Sequence, residues 1–167
     1  MFRKKNARIT LGLLEDILDD VRWTFQNSEA PAYLKRRVRK LPIVFGIVNR
    51  PYSDICGNAI AIGRYAKKEP IKHRLKLKLR THPTVTIDGD YYFLVIEINR
   101  GALKRITRRG LRYLVAHEYA HILQIVVDEE VSNQSSYSTP EDHNKRWQRF
   151  CKWMGGDVSE YIQRFWI

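Results

Sequence analysis

His117-Glu118-Tyr119-Ala120-His121 sets two imidazoles four residues apart with a carboxylate beside the first. On an α-helix, positions i and i+4 lie one turn apart on one face, so both rings can reach a single metal ion. Glu118 sits about 100° round the helix from His117, where it flanks such an ion and reaches a water beside it. With zinc in place the pKa of that water falls towards ~7, and Glu118 takes its proton as the water attacks a carbonyl carbon. The flanking residues agree with this chemistry. Leu111, Leu114, Val115, Ile122, Leu123, Ile125 and Val126 make residues 108–127 apolar round most of a helix, which predicts an interior element. Burying two imidazoles and a carboxylate in such an element is costly unless something satisfies them, and a metal ion does.

A catalytic zinc commonly takes three protein ligands and leaves a position to water. His143, twenty-two positions after His121, is the favoured third ligand. Its offsets of 4, 7 and 11 to Trp147, Phe150 and Met154 predict that it shares their inward face on one helix. Glu141 competes, since a carboxylate about twenty residues downstream is another common solution, although it also suits the first turn of a helix. Were Glu141 to join all three histidines, the site would be closed and structural. Tyr137, between the ligands, is a candidate oxyanion donor, and Glu129 and Glu130 are candidates to orient a ligand from outside. For these three, ordinary loop roles are the simpler reading.

The elements that must position these groups follow from periodicity. Leu14, Ile17, Leu18, Val21 and Phe25 predict an amphipathic helix over 11–26, with Thr10 as its N-cap. Residues 41–48 and 58–64 are β-rich, and 74–80 alternates leucine with Lys76, Lys78 and Arg80. Asp88-Gly89 between 85–87 and 91–98 predicts a hairpin, closed by Asn99-Arg100-Gly101. Residues 128–139 read as a polar loop. Thr139-Pro140-Glu141-Asp142 predicts the start of the helix that Gly155-Gly156 stops. A short terminal helix is expected from 157 onward. The order predicts an α+β fold: an N-terminal helix, a small mostly antiparallel or mixed sheet, a buried histidine helix, then C-terminal helices. With 167 residues, no repeat and 44% hydrophobic content, one domain over 1–167 is expected, its core at about 41–155.

The strand Ile96-Glu97-Ile98-Asn99, the helix with His117-Glu118-Tyr119-Ala120-His121, and His143 followed by Trp147 together resemble the SprT-like (Spartan-type) zinc metallopeptidases. The resemblance implies that His117, His121 and His143 bind zinc, that Glu118 is the catalytic base, and that the strand before the active helix borders the substrate groove. An extended peptide would then add to a sheet edge at 92–98. Some family members cut proteins covalently trapped on DNA. Asn144 stands where the family usually has glycine, the connection from His121 to His143 is longer, and no C-terminal zinc ribbon is expected.

Thirty Lys+Arg against eighteen Asp+Glu give a net charge of +12, which favours an anionic partner. Basic residues cluster at 35–40, 64–80 and 100–112. Lys35, Arg36, Arg37, Arg39, Lys40, Lys76, Lys78 and Arg80 are the expected nucleic-acid contacts, with Tyr65 and Tyr91 as candidate stacking partners. No apolar run is long enough for a membrane span. Acidic residues from Glu15 to Asp20 interrupt what would otherwise resemble a secretory leader, and two cysteines are too few for a disulfide scaffold. An intracellular protein, cytoplasmic or associated with nucleoid or nucleus, is expected. The expected partners are a protein or peptide substrate and DNA. Alternatives are a nucleic-acid-binding protein with a structural zinc, or a zinc peptidase unrelated to DNA.

Overall fold

The computed structural model describes residues 7–63, 82–129 and 143–158. Helix α1, Leu11–Gln26, buries Leu14, Ile17, Leu18, Val21 and Phe25, and the Thr10 side chain accepts from the Leu13 amide at its start. The basic run that follows is itself helical. Helix α2, Ala32–Lys40, buries only Leu34 and Val38 and turns its cations outward. Arg37, Arg39 and Lys40 occupy its last turn, where the helix dipole favours positive charge.

Four strands form one mixed sheet: β1 (Ile43–Val48), β2 (Gly57–Gly63), β3 (Val85–Ile87) and β4 (Asp90–Asn99). β4 is central. It pairs in parallel with β1, Ile43 opposite Leu94, and antiparallel with β2, Gly57 opposite Ile98. β3 joins β4 through Asp88 and Gly89, both at positive φ (48° and 81°), as the Asp-Gly pair predicts. The expectation that 92–98 offers a sheet edge is therefore wrong. β2 pairs with β4 on one side from Tyr92 to Ile98, and β3 at Tyr92 and β1 from Leu94 pair on the other, while burial of both faces accounts for its near-continuous apolar run. Leu94, Ile96 and Ile98 face the main core, while Phe93 and Val95 join Val44 and Ile62 in a smaller cluster.

Helix α3, Arg108–Asp128, is capped by Thr107, which accepts from the Gly110 amide, and is buried along most of its length. Helix α4, Lys145–Trp153, packs on it through Trp147, Phe150 and Cys151. This start differs from the one expected at 139–142, residues that lie outside those described. The cap is Asn144, whose side chain accepts from the Trp147 amide, so His143 precedes α4 and does not ride in its first turn. The fold is α+β as expected: among the described residues, four helices and a four-stranded mixed sheet. Residues 74–80 and the terminal helix from 157 onward lie wholly or largely outside the described residues. No helix among the described residues is long and apolar enough to cross a membrane.

Several arginines hold this packing together, Arg37 and Arg112 among them from the basic runs. Arg22 donates to the carbonyl of Leu41, Arg37 to that of Val126 (3.1 Å) and Arg112 to that of Gly155 (3.2 Å). Buried Asn99 performs a similar task with an amide. Its Oδ1 accepts from the amides of Arg50 (2.8 Å) and Gly101 (3.1 Å), and its Nδ2 donates to the carbonyls of Arg50 (3.0 Å) and Ile55 (2.9 Å). One side chain thus fixes the loop entering β2 against the end of β4. That loop leads to Gly57, which borders Glu118.

Candidate metal centre

His117 and His121 lie one turn apart on α3, and the turn entering α4 brings His143 between them. The Nε2 atom of His143 is 3.2 Å from that of His121 and 3.2 Å from that of His117. Three nitrogens each ~2.0–2.1 Å from a tetrahedral zinc would stand about 3.3 Å apart, so this spacing fits one ion. These three residues form a set whose ligand atoms all lie within 4.8 Å of one another. Burial and the proximity of His121 and His143 hold the His117 imidazole well below its usual pKa, in the neutral form a metal requires. Its Nδ1 is buried without a hydrogen-bond partner among the described residues.

Trp147 forms the floor. Its ring centroid lies 4.7 Å from His117, 5.2 Å from His121 and 4.4 Å from His143, and its Nε1 donates to the His117 carbonyl (3.3 Å). The indole therefore anchors α4 to the first ligand's backbone while walling one side of the imidazole cluster. Glu118 is buried on the β2 side, and burial pushes its carboxyl up to about 8. A Cβ built at Gly57 would lie 3.2 Å from both Cγ and Oε1 of Glu118, so only glycine leaves this carboxylate its full room. Beside Gly57, burial first and Glu118 second raise the Cys56 thiol to about 11. A pocket of ≈ 490 Å³ opens against Cys56, lined also by Ser53, Asp54, Leu103, Lys104 and Ile106.

No protein-family model matches the chain, and no curated protein or solved structure is significantly similar to it. Function must be argued from this cluster of side chains.

Of the four residues expected at the centre, His117, His121 and His143 are brought together, while Glu118 sets its carboxylate against Gly57. Glu141 and Tyr137 lie outside the described residues, and Glu129 is exposed at the end of α3. Tyr119 turns into the core as its position on the helix predicts, donating from its hydroxyl to the Val38 carbonyl (3.0 Å). Of the expected nucleic-acid contacts, Lys35, Arg36, Arg37, Arg39 and Lys40 share α2, while Lys76, Lys78, Arg80 and the aromatic Tyr65 lie outside the described residues. Arg37 is tied to Val126, and Arg39 donates to Gln26 Oε1 (3.2 Å). Trp23, 69% exposed one turn before Gln26, adds an aromatic surface near that end of α2. Tyr91 is half exposed on β4.

Sequence reasoning missed Gly57, which nothing local marks as a neighbour of Glu118. It also missed Gln124. That residue follows His121 by three positions, a spacing that puts it on the same helical face and was readable in advance.

Proposed function

We propose that the protein is a zinc-dependent endopeptidase of SprT-like type, with His117, His121 and His143 as ligands and Glu118 as general base. The observation that carries this reading is the convergence of three imidazole nitrogens through 3.2 Å contacts, two of them on a helix that also buries the Glu118 carboxylate. When bound, zinc supplies Lewis acidity that polarises a carbonyl oxygen and acidifies water. The protein's own groups do the rest. The histidines offer neutral Nε2 lone pairs, and the low proton affinity of His117 keeps its pair available. A cation beside Glu118 favours its ionised form, offsetting the burial that otherwise protonates it. The Glu118 carboxylate then accepts a proton from the attacking water and returns it to the departing amine nitrogen. Gly57 leaves space at that carboxylate. With β4 enclosed, the substrate chain runs alongside β2.

Recruitment by DNA belongs to the same proposal. Its support is the net charge of +12 and an α2 that carries five cations, no acid and exposed Arg36 and Lys40. Such contacts make binding weaken linearly in log–log terms as salt rises. The test of the peptidase reading is Glu118→Gln. It should keep one zinc per chain while casein cleavage falls by roughly 10²–10⁴-fold, the usual contribution of a general base. Cleavage at the wild-type rate would remove Glu118 from that role.

A further inference from the structure

Gln124 lies outside the proposed ligand set, yet it touches two of the parts that build it. Its Oε1 is 3.2 Å from His121 Nδ1, and its Nε2 donates to Asn144 Oδ1 at 3.4 Å. Asn144 Oδ1 also accepts from the Trp147 amide at 3.0 Å, capping the helix that His143 precedes by two residues. A second tie holds that turn, from Gln148 Nε2 to the His143 carbonyl at 3.1 Å.

We propose that Gln124 is a positioning residue for the metal centre, setting the tautomer of His121 and the placement of His143 together. This rests on the zinc reading above. An amide oxygen can only accept, so its contact with His121 Nδ1 requires the hydrogen on Nδ1. The lone pair then resides on Nε2, the atom that faces His143 and that a metal would use. The amide nitrogen can only donate, so it selects the oxygen of Asn144. Gln124 therefore spans the gap between α3 and the α4 cap, reading both ends in the correct polarity. Among the described residues His117 Nδ1 has no such partner, whereas His121 Nδ1 has Gln124. Asn144 does two tasks at this junction. Its oxygen caps α4 and receives the amide of Gln124, neither of which a residue without a side-chain acceptor performs.

The test titrates zinc and cobalt(II) into metal-free wild type, Gln124→Met and Gln124→Glu against a chromophoric chelator. Thermal melting of the metal-free proteins is followed in parallel. Methionine keeps the volume and loses both polar contacts, so zinc affinity should fall by about 10–100-fold, the usual effect of losing such a partner. Its cobalt(II) visible spectrum should shift from that of wild type, while the metal-free melting curve stays close to it. Glutamate keeps the acceptor for His121, so it should restore most of the affinity. Wild-type affinity and spectrum in Gln124→Met would overturn the proposal. So would equal losses in both variants accompanied by lowered metal-free melting, which would mark a packing role alone. Failure of wild type itself to bind zinc would instead defeat the reading on which this one rests.

Discussion

Tyr119 and His117 are two residues apart on α3, and the helix treats their polar atoms in opposite ways. The Tyr119 hydroxyl enters the core with its contacts arranged: it donates to the Val38 carbonyl and lies 3.4 Å from Arg22 Nε. On the other face, three imidazole nitrogens are pressed against one another and the His117 Nδ1 is left without a partner among the described residues. Leaving a buried polar atom unpaired costs about 1–3 kcal/mol. A structural polar group comes with its partner supplied by the chain, whereas a site for a ligand leaves some of that satisfaction to the ligand. Glu118 follows His117 on the same helix, and burial raises its carboxyl to about 8.

This contrast can be broken most forcefully at the ligands. A zinc site built from protein side chains is worth roughly 10–16 kcal/mol, so one ligand of three should account for about 3–5. His143→Ala should therefore weaken zinc binding by several orders of magnitude in a chelator competition, while Tyr119→Phe leaves it unchanged.

Glu118 gives the next largest effect, in metal-free protein. Its carboxyl is raised in the fold to about 8, so the stability linked to its proton is fully present below the unfolded pKa and is lost as pH rises towards 8. Over that window wild type should lose up to about 1.4 kcal/mol per pH unit relative to Glu118→Gln, measured by urea unfolding. Zinc should flatten the difference by favouring the ionised carboxylate. His117 acts at the other end. Its depressed proton affinity contributes stability that is present above its ordinary pKa near 6.5 and lost as pH falls below it.

Tyr119→Phe sharpens the structural side of the comparison. Removing the hydroxyl takes one of two donors from the Val38 carbonyl, which keeps the Leu41 amide, and unfolding free energy should drop by about 0.5–1.5 kcal/mol without change in metal content. The smallest effect is at Cys56. Its thiol is raised to about 11 by burial, then by Glu118, then by Asp54. Glu118→Gln should lower that value and speed alkylation of Cys56 modestly. Cys151, fully buried with a thiol pushed up to about 12, should stay unlabelled in both proteins.

How much of this was readable beforehand depended on the distance over which each feature is determined. The period of α1 and α3, the Thr10 cap and the Asp88-Gly89 turn are set by neighbours in sequence, and they appear where the pattern puts them. The histidine pair is equally local. His143 was identified by residue type, but its position was misjudged, because Asn144 and not Thr139 caps α4. The central place of β4 depends on which strands pair with it, and nothing within 92–98 states that. Charge was the least legible quantity. Arg37 sits in a run that looks uniformly solvated, yet it is committed to the carbonyl of Val126, 89 residues further on. The short α2 was hidden for a related reason: only Leu34 and Val38 betray its inner face.

The central claim is that one divalent cation is gripped by three imidazoles, two from α3 and one from the turn that enters α4. Crystals soaked in zinc and measured on both sides of the zinc absorption edge test it most directly. The account predicts one strong anomalous peak per chain, ~2.0–2.1 Å from Nε2 of His117, His121 and His143 together. A peak coordinated by other residues, or none at this cluster with zinc in excess, would contradict it.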